Sequence, residues 1–460
     1  MKKNKMKAVR IKIILLPVII VLTGFTFNRS ERGIQTSGKP GAASAAKGIP
    51  PNVIIILADD LGCGDMSLYN GWIKTPRIDR MAQEGVRFTD FHSNSSVCSP
   101  TRAALLTGRY QQRVGIVDVI VEHLDTPGLE ATELTIPRLL KQNGYRTALF
   151  GKWHLGSELK NNPVCHGFDE FIGFMPGGSD YLRHPNWYDG TKIKEQKGYS
   201  TDIITDRSVD FIKRNKDNPF FLYVAHQAVH NYYQIPTDTV GTRGRDMPLE
   251  GDVARARYKI MLQGLDDSVG EILDALKEFG LDENTLVFFF SDNGDVRMSP
   301  NERPYRGGKF SNYEGGHRIP AVARWPGHIS AGWKSDELAV GMDLLPTIMD
   351  IAGVAVPEHR KLDGISIKNH LLDQADLPER KVFFGYEPKL GTAMRDGHWK
   401  MLTRGDEIEL YDLSRDIKET TNVADKYIKR TEKMKAAIEK WKIEVTAQQK
   451  SGNINTVNAK

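Results

Sequence analysis

Four apolar runs in this sequence stop abruptly at polar residues, and this repeated arrangement restricts the fold more than any other feature. Continuous apolar runs of this length are typical of strands buried on both faces of a parallel sheet. The runs are NVIIILADD, ending at Asp59 and Asp60; RTALFGKWHLG, ending at Lys152 and His154; FFLYVAHQAVH, ending at His226 and His230; and TLVFFFSDNG, ending at Asp292 and Asn293.

Helical patterns lie between these runs. Thr75-Pro76 opens one pattern and Gly85 closes it, Pro137 and Gly144 bound a second, and a long pattern covers residues 252–279. Strands that alternate with helices predict an α/β fold with a large central, mostly parallel or mixed sheet sandwiched by helices. Ligands of such sheets bind beyond the carboxyl ends of the strands, where the polar residues would gather.

The sequence changes character after residue 374. The short runs KVFFGYE, WKMLTR and IELYDL are followed by a charged helical pattern over residues 425–448. We therefore predict a large domain over residues 51–374 and a smaller C-terminal α+β subdomain, 375–460, made of antiparallel sheet and a terminal helix. Met434, Ile438 and Trp441 recur at helical spacing, which predicts that this helix packs on the small sheet.

The first residues carry a targeting pattern. Six basic residues precede an apolar run over residues 13–27, which is shorter than the about 20 residues that span a bilayer. This pattern predicts a signal peptide, 1–27, with cleavage as late as residue 46, and a linker, 28–50; an uncleaved membrane anchor is the alternative. We expect an exported protein, periplasmic or secreted, with no stable membrane partner.

The net charge gives no indication of a nucleic-acid partner. Removing the six basic residues of the leader from the formal charge of +5 leaves −1 for the remainder. We therefore expect no nucleic-acid binding.

The residues at the ends of the first and last apolar runs offer oxygen ligands only. Asp59, Asp60, Asp292 and Asn293 suit a hard cation such as Ca2+ or Mg2+ better than zinc. A single Asp-Asp pair could instead be a solvated loop. Two such pairs after two buried strands favour a metal site.

The stretch VCSPTRAALLTGR places Cys98 before Ser99-Pro100, which predicts a helix cap and a first-turn proline. Cys98 would then lie at the positive end of a helix, with Arg102 on the same face one turn later. In isolation Cys98 could be a structural cysteine or a nucleophilic thiol. A soft thiolate is a poor partner for a hard metal, so the spacing makes chemical sense if residue 98 carries oxygen.

Residues 98–108 resemble the sulfatase signature C-x-P-x-R-x-x-x-L-T-G. The resemblance covers about residues 50–450 and includes the Asp59-Asp60 pair, GKWHLG, SDNG, the lysine in RGGKFSNYEGG, and LYDL. The chain is thus similar to type I sulfatases, which are formylglycine-dependent enzymes of the arylsulfatase and N-acetylgalactosamine-6-sulfatase kind. This family belongs to the alkaline phosphatase superfamily, whose fold the resemblance implies.

The resemblance implies the chemistry of residue 98. A maturation enzyme would oxidise Cys98 to Cα-formylglycine, and one hydroxyl of the hydrated aldehyde would attack sulfur with help from Arg102. One Ca2+, rather than Mg2+, would be bound by oxygens of the modified residue and four others. These four ligands are Asp59, Asp60, Asp292 and Asn293.

The resemblance also assigns the remaining catalytic roles. Lys152 would steady the diol and the sulfate, and His154 would be the base that lets sulfate leave. His230 would be the acid for the leaving oxygen, a role that Lys309 would share. Many relatives have H-x-P-H where this chain has His226-Gln227-Ala228-Val229-His230, a departure that bears on substrate contacts more than on chemistry.

Three predictions are less specific. In GGSDYLRHPNWYDG, residues 177–190, the side chains of Asp180, Tyr181 and His184 could contact a substrate sugar, or the segment could be a plain turn. His226 could be functional or a buried polar group. Cys63 and Cys165 could pair, but two buried, unpaired residues are the favoured interpretation.

The predicted function is hydrolysis of a sulfate ester, on a carbohydrate in preference to a small aromatic compound. Two alternatives remain: a formylglycine-dependent phospho- or phosphonate-ester hydrolase, and an unmatured glycan-binding protein. The expected partners are a sulfated carbohydrate and a formylglycine-generating maturation enzyme. The sugar, the sulfated position and the oligomeric state are left open.

Overall fold

A computed structural model of the chain describes residues 50–121, 126–239, 249–296, 304–387 and 390–455. The predicted signal peptide lies outside these residues, as does the predicted linker except for residue 50. All described residues belong to one compact unit, Ile49–Lys460. Within them, no helix combines the length and the apolar character that a membrane crossing needs.

Strands and helices alternate along most of the described chain. The strands are β1 (Asn52–Ala58), β2 (Val86–Phe88), β3 (Phe91–His92), β4 (Arg146–Lys152), β5 (Glu170–Phe174), β6 (Arg183–His184), β7 (Tyr188–Asp189), β8 (Lys192–Ile193), β9 (Gln196–Lys197), β10 (Phe220–Ala225), β11 (Thr285–Ser291), β12 (Ala321–Arg324), β13 (Trp333–Ser335), β14 (Ala339–Val340), β15 (Lys381–Glu387), β16 (Gly391–Asp396), β17 (Trp399–Arg404) and β18 (Glu407–Asp412). The α-helices are α1 (Pro76–Gln83), α2 (Cys98–Thr107), α3 (Ile136–Gln142), α4 (Ser200–Arg214), α5 (Gly251–Glu278), α6 (Glu314–His317), α7 (Leu344–Ala352), α8 (Lys368–Asp373) and α9 (Ile428–Asn455).

The large sheet has ten strands in the order β13-β2-β12-β11-β1-β10-β4-β5-β7-β8. The four apolar runs of the sequence form β1, β4, β10 and β11, which are neighbours in this order and pair in parallel. Leu57 pairs with Ala225 and Phe290, and Ala225 pairs with Gly151, so the four strands end at one level. Antiparallel strands such as β12 and β7 complete the sheet on either side, which confirms the predicted mixed α/β fold.

The central strand β1 explains why both faces of the sheet are covered. Val53, Ile55 and Leu57 pack in a core with residues of α2, α3 and α7, whereas Ile54 and Ile56 pack in a second core with residues of α1, α4 and α5. Full burial of such a side chain contributes about 1.5–3 kcal/mol. A continuous apolar strand is stable here because helices exclude water from both of its faces.

The C-terminal residues form a separate four-stranded antiparallel sheet, β15-β16-β17-β18. Met434, Ile438 and Trp441 of α9 join a third core with residues of this sheet, as the helical spacing predicts. The sequence identified three of its strands and missed β16, whose segment GTAMRD mixes a glycine and charged residues with few apolar ones. Helix α9 begins at Ile428 rather than at residue 425.

Candidate active site

Three carboxylates and a cysteine meet beyond the ends of β1 and β11. Asp59, Asp60, Asp292 and Cys98 each place a potential ligand atom within 4.8 Å of the others, and all four are buried. Asn293 is the fifth member, because its Nδ2 donates to Asp60 Oδ1 over 2.8 Å and its Oδ1 lies 3.4 Å from Cys98 Sγ. The parallel register of the two strands brings these residues together.

Helix α2 delivers Cys98 to this cluster. Cys98 is the first residue of the helix, and Val97 is its N-cap, so the predicted cap at Ser99 is wrong. The Ser99 hydroxyl instead accepts a hydrogen bond from the N–H of Ile120. Cys98 Sγ lies 3.5 Å from Asp59 Oδ1, so the positive end of α2 faces the carboxylates, as predicted.

Three basic side chains surround the carboxylates. Arg102 donates from Nε and Nη2 to Asp292 over 3.0 and 2.7 Å. Lys152 Nζ lies 2.6 Å from Asp59, and Lys309 Nζ lies 2.7 Å from Asp60. The charges of the three basic and three acidic side chains cancel, so the centre can accept a cation together with an anionic group.

Burial and mutual repulsion perturb the carboxylates. Burial alone would raise the pKa of Asp59, but Lys152, His230 and Arg102 together hold it well below its ordinary value. Burial and the charge of Asp59 raise the pKa of Asp292 to about 6 despite Arg102. A divalent cation among these oxygens would relieve that repulsion, and the donor set is the one that Ca2+ or Mg2+ prefers. The residues present therefore fit the implied metal.

His154 follows β4 with a left-handed backbone conformation, φ 58°. Its Nε2 lies 3.1 Å from the carbonyl oxygen of Ile120, whereas its buried Nδ1 has no hydrogen-bond partner in the part of the chain that the structure describes. Burial, with the nearby charges of Lys152 and Arg102, lowers the pKa of His154 well below its ordinary value. The ring is therefore a neutral imidazole whose Nε2–H donates to Ile120 and whose Nδ1 can accept a proton.

His230 approaches the centre from the segment after β10. Its Nε2 lies 3.7 Å from Asp60 Oδ2, and its Nδ1 contacts the carbonyl oxygen of Asn231. Burial lowers the pKa of His230, and Asp60 and Asp59 offset part of this effect. With Lys309 on the same carboxylate, one ammonium donor and one imidazole lie beside Asp60.

A glycine-rich segment runs past both histidines. A Cβ on Gly177 would lie 2.6 Å from His154 Nε2, and one on Gly178 would lie 3.9 Å from the His230 ring. The buried Gln227 fixes this segment, because its Oε1 accepts from Ser179 N over 3.0 Å and its Nε2 donates to Ser179 O. Sequence reasoning noted Gln227 as a departure from H-x-P-H but did not find this role.

The predicted substrate contacts of the same segment need correction. Tyr181 is fully buried, and its hydroxyl donates to the backbone oxygens of Gln227 and His230. His184 is also buried, with its Nε2 near Gly198 O and its ring against Trp187. Neither side chain is available to a sugar, because each is buried and makes its polar contacts with backbone oxygens.

Asp180 also shapes this loop. Its Oδ1 accepts hydrogen bonds from the backbone N–H groups of Leu182 and Arg183 and from Gln234. This is the pattern of an Asx turn, so the carboxylate has a structural task.

Three other predictions concern buried polar groups and thiols. His226 is buried, and its Nε2 contacts the hydroxyl of Ser268, which agrees with a polar pair in the core. Cys63, Cys98 and Cys165 are unpaired, so no disulfide joins Cys63 to Cys165. The expectation that both would be buried is wrong for Cys165, which is exposed, since it lies in a short turn after Pro163.

A second buried cluster was not anticipated. His92, Glu314 and His317 bring potential metal-ligand atoms within 4.8 Å of one another. Lys400 Nζ lies 3.0 Å from Glu314 and 3.1 Å from His317 Nε2, and so supplies a cation from the C-terminal sheet. This cluster therefore joins the small sheet to the rest of the unit.

The comparison with known families identifies the family of this chain. The family model named Sulfatase matches residues 51–354, and a model described as N-sulphoglucosamine sulphohydrolase, C-terminal, matches residues 308–448. The chain belongs to the sulfatase family. It is a sulfuric ester hydrolase, and the sulfatase signature around Cys98 lies at the centre described above.

Individual sulfatases are similar over most of the chain. N-acetylgalactosamine-6-sulfatase of Homo sapiens is 37% identical over 75% of this chain and 69% of its own length. Arylsulfatase of Hemicentrotus pulcherrimus is 35% identical over 79% and 69%. The crystal structure of Ps i-CgsB in complex with k-i-k-neocarrahexaose has a TM-score of 0.78 at 30% identity and covers 85% of this chain and 92% of that one.

Proposed function

We propose that this sulfatase hydrolyses a sulfate ester of a carbohydrate, using Cα-formylglycine at position 98 and one calcium ion. The main support is the convergence of Cys98 with three carboxylates, Arg102 and two lysines in a single buried centre. A carbohydrate substrate is supported by two similar proteins, one named for N-acetylgalactosamine 6-sulfate and one solved with neocarrahexaose.

Two groups complete the centre. Asp59, Asp60, Asp292, Asn293 and residue 98 would hold the calcium ion, which would supply positive charge to the sulfate oxygens. As hydrated formylglycine, residue 98 would supply one hydroxyl as the nucleophile and a second for the release of sulfate.

The basic side chains bind and orient. Asp292 Oδ2 accepts from Nε and Nη2 of Arg102, and the carbonyl oxygen of Lys152 accepts from Nη1, so the guanidinium charge needs no rearrangement during the reaction. Lys152 is anchored on Asp59 and Lys309 on Asp60, so the two ammonium groups contact different carboxylates of the cluster. Charge that spreads over the sulfuryl oxygens is thereby offset by fixed cations.

The two histidines divide the proton transfers. His230 and Lys309 share the side of Asp60, so the donors to the leaving alcohol oxygen are the Lys309 ammonium and the protonated form of His230. His154 accepts a proton at Nδ1, since its Nε2 is committed to Ile120. An acid and a base carried by different residues suit a two-step displacement.

The chain's own maturation is part of this proposal. Conversion of Cys98 requires a formylglycine-generating enzyme, which must reach the cysteine before helix α2 is buried. The basic and apolar leader supports export to the periplasm or outside the cell, where sulfated glycans occur.

Matched sulfate and phosphate esters test the proposed function. Protein produced with a maturation enzyme should hydrolyse 4-nitrophenyl sulfate about 100-fold faster than 4-nitrophenyl phosphate, because the described carboxylates of the centre surround a single cation position. Cys98→Ala should abolish both activities, and Arg415→Ala, on an exposed side chain, should change neither. Faster phosphate hydrolysis would favour a phospho- or phosphonate-ester hydrolase, and absence of turnover in matured protein would favour a binding protein.

A further inference from the structure

Two exposed aromatic side chains flank the residues assigned to the leaving oxygen. Among the residues whose burial the structure describes, the exposed Phe, Tyr and Trp side chains are Phe310, 56% exposed, and Tyr232, 40% exposed. Phe310 directly follows Lys309, and Tyr232 comes two residues after His230. Lys309 and His230 both contact Asp60, so the backbone segments that carry the two aromatic residues meet at one centre.

The backbone of Phe310 is held in an unusual conformation. Its φ is 65°, a left-handed value that bulky residues seldom adopt, and its N–H donates to the oxygen of Ser96 over 3.1 Å. Ser96 lies two residues before Cys98. A strained backbone that leaves an aromatic ring in water beside a catalytic lysine is costly for the free protein, and a ligand that covers the ring would offset that cost.

A cavity of about 540 Å³ opens beside this ring. Its lining includes Arg306, Lys309, Phe310, Ser311 and Tyr313. The volume falls in the range of about 300–1,000 Å³ that small-ligand sites occupy. Two of the described side chains that line it, Arg306 and Lys309, are basic and would attract an anionic ligand.

Arg306 is oriented before any ligand arrives. Its guanidinium carbon lies 3.7 Å from the centre of the Tyr313 ring. Its Nη1 donates to the hydroxyl of Tyr411 and to the backbone oxygen of Glu419 over 3.1 and 2.6 Å. Within the described part of the chain these contacts use Nη1 only, so Nε and Nη2 form a two-donor edge that matches a carboxylate or a sulfate.

We propose that this cavity is a sugar-binding subsite on the leaving-group side, which selects substrates that carry a second anionic group. The sugar would cover the Phe310 ring with its apolar face, Tyr232 would border it on the His230 side, and Arg306 would bind the second anion. Lys309 connects the subsite to the reacting centre, since it lines the cavity and contacts Asp60. This inference rests on the proposed function and names the substrate class: polyanionic glycans, with the second charge from a uronate or another sulfate.

Calorimetry on the full-length Cys98→Ala protein tests the subsite without turnover. Three probes are compared: N-acetylgalactosamine 6-sulfate, its disaccharide with a uronate, and N-acetylgalactosamine 4,6-disulfate. A second anion should tighten binding about tenfold, and Arg306→Gln should remove this gain while Arg306→Lys keeps part of it. Phe310→Ala should weaken the binding of all three probes about tenfold. Arg415→Gln, on an exposed side chain, is the matched control and should change none of them.

Several outcomes would overturn the inference. Equal binding of all three probes by the Cys98→Ala protein with Arg306 intact would show that there is no second-anion site. An unchanged gain in affinity after Arg306→Gln would show the same. The uronate and disulfate probes distinguish the two sources of charge. If the matured enzyme hydrolyses 4-nitrophenyl sulfate yet shows no preference for a second anion, the subsite alone fails. If the preference is present but matured protein has no turnover, the proposed function alone fails.

Discussion

At the scale of single residues, the two ring nitrogens of His154 have different environments. Nε2 faces Ile120 O, and Nδ1 has no hydrogen-bond partner among the described residues, so the structure singles out the nitrogen that can accept a proton. In the proposed mechanism this proton transfer belongs to sulfate release, so His154→Ala should release about one equivalent of 4-nitrophenol per active site and then stall, with steady turnover reduced about 100-fold or more. Rapid-quench measurement of nitrophenol and of free sulfate checks this.

The matched control is His398→Ala, on a side chain that is 55% exposed. It should turn over like the unsubstituted enzyme. Loss of the first equivalent of nitrophenol in His154→Ala would mean that His154 acts in the attack on sulfur rather than in sulfate release.

Gln227 is a positioning residue for the same step. Its amide holds Ser179 by two hydrogen bonds, and the segment so fixed packs against His154 through Gly177. Gln227→Ala should lower kcat about tenfold to 100-fold, because the His154 imidazole would be displaced. The variant should still release the first equivalent of nitrophenol, whereas a variant that had lost its fold would not.

Gln263→Ala, on the exposed face of α5, is the control for Gln227. An unchanged kcat in Gln227→Ala, with only KM affected, would place this residue among substrate contacts instead.

The sequence predicted site residues at strand ends much better than those in loops. Asp59, Asp292 and Lys152 follow buried apolar runs, and the level at which parallel strands end is set by hydrogen-bond register. No such constraint fixes where a loop side chain points, so Tyr181 and His184 were assigned to the substrate although both are buried. Partners such as Gln227 and Ser179 are separated by 48 positions, and composition carries no signal of that pairing.

At the scale of elements, the glycine-rich segment offers a test with a built-in control. A Cβ on Gly177 would meet His154 Nε2 at 2.6 Å, whereas one on neighbouring Gly178 would meet nothing closer than 3.9 Å. Gly177→Ala should therefore displace the imidazole and lower kcat about tenfold or more, and Gly178→Ala should stay within about twofold. Steady-state kinetics of the two variants checks this, and equal effects would contradict the proposed packing.

Helices and strands were predicted where one physical signal dominates. The long helix α5, Gly251–Glu278, agrees closely with its periodic pattern, and the four parallel strands agree with their apolar runs. Ser99 was predicted to cap α2, but the helix begins one residue earlier, at Cys98. The Ser99 hydroxyl does not cap the helix, because it accepts a hydrogen bond from the N–H of Ile120. Strand β16 was missed because its pairing with β15 and β17, rather than its composition, makes it a strand.

At the scale of the whole molecule, buried neutral histidines tie stability to pH. His166 is buried beside Trp153, and within the described residues neither of its ring nitrogens has a hydrogen-bond partner. Burial, with Arg138 nearby, lowers its pKa from 6.5 to about 4. Between pH 6.5 and pH 4 the unfolded chain therefore binds a proton on this imidazole, whereas the folded chain does not. The contribution of His166 to the free energy of unfolding is fully present above pH 6.5 and is lost as the pH falls towards 4.

His166→Phe removes this proton uptake from the unfolded state. The difference in free energy of unfolding between variant and unsubstituted protein should shift in favour of the variant by up to about 3 kcal/mol between pH 7 and pH 4. Urea unfolding at several pH values measures it, with His398→Phe as the exposed control. A difference that does not change with pH would show that His166 is not a neutral buried group.

The C-terminal sheet is joined to the larger part by charges that no local pattern predicts. Lys400 of β17 contacts Glu314 of α6 and Glu419, and Arg395 of β16 contacts Asp90. Most of these partners are distant in sequence, and nothing in the sequence around any one of them distinguishes it from a charged surface residue. The sequence thus predicted the two sheets but not the ionic contacts between their elements.

The most direct test of the central claim is the mass of the tryptic peptide that spans residues 88–102, FTDFHSNSSVCSPTR, from protein produced with a maturation enzyme. The account predicts that Cys98 has lost its sulfur and carries an aldehyde oxygen, and that the extent of conversion tracks sulfatase activity across preparations. An intact thiol in protein that hydrolyses sulfate esters at full rate would contradict it.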